Sequence, residues 1–177
     1  MKGSRVAKRY ARALLELAEK GQEEKWGGEL DRLAAAIETP GLLERLASPE
    51  LSVQSRQDAM TKIAERLGLS FPLRSFGVVL ARHGRIAEIG AIAESYRAQV
   101  DEMLGRARAT LTFAVKPSDA EVARVASGLE AIARKKIIPT VKVDSGLLGG
   151  VTAELGGKIY DGSLATRLAE ARRRLAG

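Results

Sequence analysis

Residues 143–163 read VDSGLLGGVTAELGGKIYDGS, with six glycines and a Gly-Gly-Lys among them. A phosphate cradle of the P-loop kind needs GxxxxGK followed by Ser or Thr, set where a strand turns into a helix whose N-terminus faces the anion. Here Ile159 follows Lys158, and KIYD alternates like a strand. Gly156-Gly157 therefore reads as the two-residue turn of a hairpin between GVTAEL and KIYDGS, because the primed turns that suit such hairpins need positive φ. Gly149-Gly150 turns the chain back after Leu147-Leu148. Asp161 and Ser163 then open a last helix, Ser163 as its N-cap, with Leu164, Leu168, Ala171 and Leu175 facing inward. A phosphate-dependent enzyme would rest on these glycines alone.

Immediately upstream the pattern is mixed. ATLTFAV is rich in strand formers, KPSDAEVARVASGLEAIARKK returns to a helical period, and TVKVDS is strand-like again. The helix has its own start signal: Ser118 with Glu121 three residues later is a capping box, and Val122, Val125, Leu129 and Ile132 follow on one face. Residues 106–177 thus form a small α+β domain, joined to what precedes by the polar, glycine-containing hinge LGRARAT.

Residues 1–105 read differently. Trp26, Leu30, Leu33 and Ile37 recur at helical spacing, as do Met60, Ile63 and Leu67, and Ile86, Ile89, Ala93, Tyr96, Val100 and Met103. Gly21, Thr39-Pro40-Gly41, Ser48-Pro49, Gly68 and His83-Gly84 punctuate them into helices over 4–20, 24–38, 41–47, 52–67, 71–83 and 86–105. Short connections make neighbours antiparallel, hence a six-helix N-terminal bundle and an α+β protein overall.

The first helix carries two apolar stripes. One is Val6, Tyr10, Ala13, Leu14 and Leu17; the other is Ala7, Ala11, Leu15 and Ala18. So wide an apolar arc needs cover on two sides. Either other helices of the domain provide both, or one side stays open as a groove for a partner's amphipathic helix, with the alanines allowing close approach.

Composition narrows the function. With no cysteine there is no disulfide, no thiolate zinc site and no thiol catalysis. His83 is the sole histidine and stands before Gly84 at a helix end, a C-cap position, so neither a histidine metal set nor a Ser/His/Asp triad can be assembled around it. Asp144 and Asp161 lie beside turns, where backbone hydrogen bonds account for them. These readings point to a protein that is no enzyme and needs no metal or cofactor. No apolar run approaches the ~18 residues of a membrane span, and the charged start MKGSRVAKRYARALLELAEK is unlike a signal peptide, so a complete bacterial chain is expected. The net charge of +7 admits a second class, a basic two-domain RNA-binding module using ARKK, ARRRL and the Arg face of the first helix. Most of the charge is interleaved with acids along helices, however, and aromatic residues are few.

Both ends of the chain are also recognisable. RVAKRYARALLELA resembles the opening helix of the delta subunits of bacterial F-type ATP synthase, the family of the oligomycin-sensitivity-conferring protein, and VKVDSGLLGGVTAELGGKIYDGSLATRLAEARRRL resembles that family's most characteristic stretch. LLGGV, a glycine hairpin and DGSLxxRL form a specific combination; Ser48-Pro49, VVLARHGRI and the total length agree with it. Pro72 and Gly77 depart from the family's usual Asn and leucine-rich run around the fifth helix. The resemblance implies a non-catalytic stator subunit on the cytoplasmic face of the cell membrane. As a peripheral part of the complex, it joins the catalytic head to the peripheral stalk during ATP synthesis and hydrogen ion transport. It implies that residues 1–105 hold the N-terminal helix of an alpha subunit beside helices 1 and 5, and that 106–177 meet the b subunits. It implies one copy per complex, monomeric when isolated. Carried onto this sequence, the groove residues are Tyr10, Ala13, Leu14, Leu17, Val79 and His83.

Overall fold

The computed structural model describes residues 4–147 and 149–162. Its contacts divide the chain into two compact units, Met1–Val100 and Asp101–Gly177. The division thus falls five residues before the break expected at 105, inside a helix rather than in the polar linker.

In the first unit the helices are α1 (Arg5–Leu17), α2 (Glu23–Ile37), α3 (Leu42–Ala47), α4 (Val53–Arg66), α5 (Phe71–Arg82) and α6 (Ile89–Met103), the last entered through a 3₁₀ turn at Ile86–Glu88. One apolar core joins them, built from Ala7, Ala11 and Leu14 of α1, Leu30, Leu33 and Ile37 of α2, Leu46 of α3, Met60 and Ala64 of α4, Leu73 and Leu80 of α5, and Ile89, Ile92 and Tyr96 of α6. Met103 closes the expected α6 stripe in solvent rather than in the core.

Polar groups fix how these helices meet. The buried Glu29 of α2 accepts hydrogen bonds from the N–H and Oγ of Ser70, at 2.8 and 2.7 Å, so a side chain from α2 caps α5. Arg56 of α4 donates to the carbonyls of Ser48 and Leu51, closing the end of α3. Tyr96 is enclosed, its Oη donating to the Glu23 carbonyl, and burial followed by the Glu23 charge pushes its phenol up to about 12. Gly77 explains one departure noted in the sequence: a Cβ there would stand 3.0 Å from Met60 Cγ, so a side chain where α4 and α5 meet would have to displace Met60. Pro72 sits in the first turn of α5, where its missing N–H has no intrahelical partner to lose.

The second unit contains β1 (Arg106–Phe113), α7 (Asp119–Ala133), β2 (Lys136–Val143), β3 (Val151–Leu155) and β4 (Lys158–Asp161) among the described residues, in the sheet order β2-β1-β3-β4. β1 and β2 are parallel, linked through α7; β3 runs antiparallel to β1, and β4 antiparallel to β3. Ala109, Leu111 and Phe113 alternate onto the face that packs with Ala126, Leu129, Ile137 and Ala153. Gly156 and Gly157 join β3 to β4 with φ of 59° and 80°, the positive values that a two-residue hairpin turn requires. The capping box is present, with Ser118 Oγ accepting from the Glu121 N–H and the Glu121 carboxylate accepting from the Ser118 N–H. Those hydrogen bonds, backbone first and side chain second, hold the exposed Glu121 carboxyl below its usual range. Asp101, buried, accepts from Arg108 Nε at 2.6 Å and pairs with Arg106.

Two expectations for this unit are corrected. Helix α7 ends at Ala133 with Arg134 left-handed, and Lys136 already belongs to β2, because pairing with β1 from Arg106 onward draws Ile137 into the core. Ile132 is 60% exposed rather than inward, since α7 turns Ala126 and Ala133 to the sheet in its place. Ser163 and the last helix expected after it lie outside the described residues.

Candidate functional site

On α1, residues 6, 10, 13 and 17 follow one line along the helix, spaced i, i+4, i+7 and i+11. Val6 and Tyr10 are half-buried, Ala13 is exposed, and Leu17 is 72% exposed. On α5 the same spacing links Pro72, Phe76, Val79 and His83. Pro72 and Phe76 are half-buried, Val79 is 42% exposed, and His83 is exposed at the C-cap. The rings of Tyr10 and Phe76 meet edge to face, with centroids 6.2 Å apart, so the two stripes lie side by side. Arg9 places its guanidinium 5.8 Å from the Tyr10 centroid. The result is an apolar strip shared by two helices, with Ala13 as a notch between Tyr10 and Leu17.

One of the residues named from the sequence falls on the other side of the helix. Leu14 is only 1% exposed and belongs with Ala7 and Ala11 to the core, so it does not line a surface groove. A residue one position from Ala13 is turned about 100° away from it, and here that direction is into the core. For the same reason the small alanines Ala7 and Ala11 allow close approach of neighbouring helices of this unit, not of a partner. Phe76 was not among the sequence candidates; its signal was the spacing from Pro72 and Val79, obscured by an apolar run covering most of α5.

The second unit has a cleft of about 590 Å³ where β1 ends and α7 begins, lined by Phe113, Val115, Pro117, Arg124, Val125 and Val151 among others. No group of three or more His, Asp or Glu side chains among the described residues is placed to hold a metal ion. Asp144 accepts the Gly146 N–H at 2.8 Å, a turn-forming role. Nor is there a base-stacking platform. Trp26, Tyr96 and Phe113 are buried, Tyr10, Phe76 and Tyr160 half-buried, and Phe71 alone of the aromatic residues is exposed. No helix among the described residues is long and apolar enough to cross a membrane.

Comparison with known proteins identifies the family. Residues 6–175 match the family model described as ATP synthase delta (OSCP) subunit. The chain is 38% identical over 172 residues to an ATP synthase subunit delta from Anaeromyxobacter sp. (strain Fw109-5), covering 96% of each chain. It is 34% identical over 171 residues to one from Geobacter sp. (strain M21), covering 96% of this chain and 95% of the relative. A chain in the cryo-EM structure of the Toxoplasma gondii mitochondrial ATP synthase hexamer shares the fold with a TM-score of 0.67 at 20% identity, over 98% of this chain and 99% of that one. With a family match over almost its whole length and relatives of equal extent, this chain belongs to the ATP synthase delta (OSCP) subunit family.

Proposed function

We propose that the protein is a non-catalytic stator subunit of an F-type ATP synthase, tying the catalytic head to the peripheral stalk so that the head does not turn with the rotor. The observation that carries this reading is the apolar strip of Tyr10, Ala13, Leu17, Phe76 and Val79, in which Ala13, Leu17 and Val79 stand exposed beside the half-buried pair of Tyr10 and Phe76. An apolar strip shared by two helices suits the apolar face of an amphipathic helix. On this reading the N-terminal helix of an alpha subunit is the occupant, with His83 at the end of the strip. The core of this reading is a six-helix N-terminal bundle that serves the head. The second unit serves the C-terminal ends of the b subunits, on the cytoplasmic face of the membrane and without insertion into it.

A stator resists torque only through binding free energy, and two interfaces on one chain raise the effective concentration at each. Side chains in the strip therefore have work to do that no catalytic group could replace. The test is co-elution of the purified protein with the catalytic head of the same organism at low and high salt, beside a structured RNA. A one-to-one complex that survives salt is the expected result; salt-sensitive RNA binding without a head complex would overturn the stator role. Deleting residues 163–177 is expected to abolish capture of the b subunits while leaving the head complex. A folded deletion variant that still captures them would reassign that interface.

A further inference from the structure

The walls of the strip are unequal in charge to the rest of the chain. Helices α1 and α5 together carry Arg5, Lys8, Arg9, Arg12, Arg74 and Arg82 against a single carboxylate, Glu16, and α5 has no acid at all. Two helices of 13 and 12 residues thus hold most of the positive excess of a chain whose net charge is +7. Glu16 is already held by Arg12 at 2.9 Å. Arg9 lies one turn from both Val6 and Ala13, with Arg5 one turn before it, so these two border the strip on the α1 side. Arg82 follows Val79 by three positions and borders it on the α5 side. All three are exposed, and none takes part in an ion pair found among the described residues.

We infer that the occupant of this strip is an amphipathic helix whose apolar face is flanked by carboxylates, which meet Arg9 and Arg5 on one side and Arg82 on the other. This rests on the docking role proposed above and adds the chemistry of the partner. The apolar strip supplies the area removed from water, while the arginines set orientation and reject helices with basic flanks, since rim charges govern encounter and discrimination more than affinity. An anionic lipid surface would also attract these cations. A membrane, however, favours a broad apolar face, whereas here Ala7, Ala11 and Leu14 are spent on the core and the exposed remainder is a strip notched at Ala13.

The experiment uses the full chain and two synthetic helices with one shared leucine face, flanked by Glu in the first and by Lys in the second. At low salt the Glu helix is expected to bind at least ~10-fold more tightly, with the preference shrinking toward parity at about 1 M salt as the rim is screened. In the double variant Arg9→Glu and Arg82→Glu the preference reverses. Equal affinities, a preference for the Lys helix, failure of both to bind, or a Glu preference untouched by the double variant would each overturn the inference. So would tight binding to phosphatidylserine vesicles that the double variant abolishes while neither helix binds. If the head still co-elutes and Leu17→Asp releases it, any of these results removes the charge assignment alone. If the head does not co-elute, the stator role itself fails.

Discussion

Leu14 and Leu17 sit three positions apart on α1 and answer differently to the same substitution. Leu14 is enclosed by the core, so Leu14→Asp places a carboxylate among apolar side chains and is expected to cost about 3–5 kcal/mol, enough to unfold the first unit. Leu17→Asp changes a side chain in solvent and leaves the melting temperature within about 2 °C, yet weakens head binding at least ~10-fold. Thermal melts followed by Trp26 emission, run beside the co-elution assay, separate the two; a folded Leu14→Asp protein would contradict the core assignment. Tyr96 makes a second prediction, in alkali. Its phenol is pushed up to about 12 by burial and by Glu23, so an unfolded chain ionises it first. The stability it contributes is therefore fully present below about pH 10 and is lost as the pH rises through 12. Tyr96→Phe is less stable than the parent at neutral pH, having lost the hydrogen bond to the Glu23 carbonyl, and the gap narrows between pH 10 and 12. A gap that stays constant over that window in denaturant titrations would count against the raised value. Leu14's depth was not legible locally, whereas Tyr96 lay on the apolar stripe of α6 that the structure buries. The two apolar stripes of α1 are adjacent on the helix, and nothing in α1 itself says which one the other helices cover.

The elements were largely legible because each repeats its own period. Trp26, Leu30, Leu33 and Ile37 recur at helical spacing and are all buried on α2. Gly156-Gly157 was readable as a hairpin turn because only φ > 0 joins two strands in two residues. Where elements compete for the same residues, the reading failed. ARKK extends a helix in isolation, but in the fold Lys136 pairs beside Arg106 and the strand takes it. Gly77 shows the same dependence on a neighbour. In sequence it only weakens α5, whereas in the fold it is where α5 meets Met60 of α4. Gly77→Leu is expected to cost about 1–3 kcal/mol by forcing the two helices apart, and Gly77→Ala less, because the Met60 side chain can shift. Urea unfolding midpoints decide this; an unchanged midpoint for Gly77→Leu would mean that the helices separate freely.

For the whole molecule, two separate cores predict that the units fold independently. A fragment of residues 1–100 is expected to keep the native Trp26 emission and a cooperative melt, since the core around Trp26 lies wholly within it. A fragment with solvent-exposed Trp26 would show that the first core depends on the second unit. The sequence by itself determined the element types, the α+β class and the failure of the glycine-rich stretch as a phosphate site, because turn chemistry and hydrophobic period act over a few neighbouring residues. Tertiary structure alone decided that Leu14 is core while Leu17 is surface, that Phe76 meets Tyr10 across 66 positions of chain, and that the division between the two units falls after Val100, inside α6. A partner surface is what a core leaves uncovered, and burial depends on residues distant in sequence.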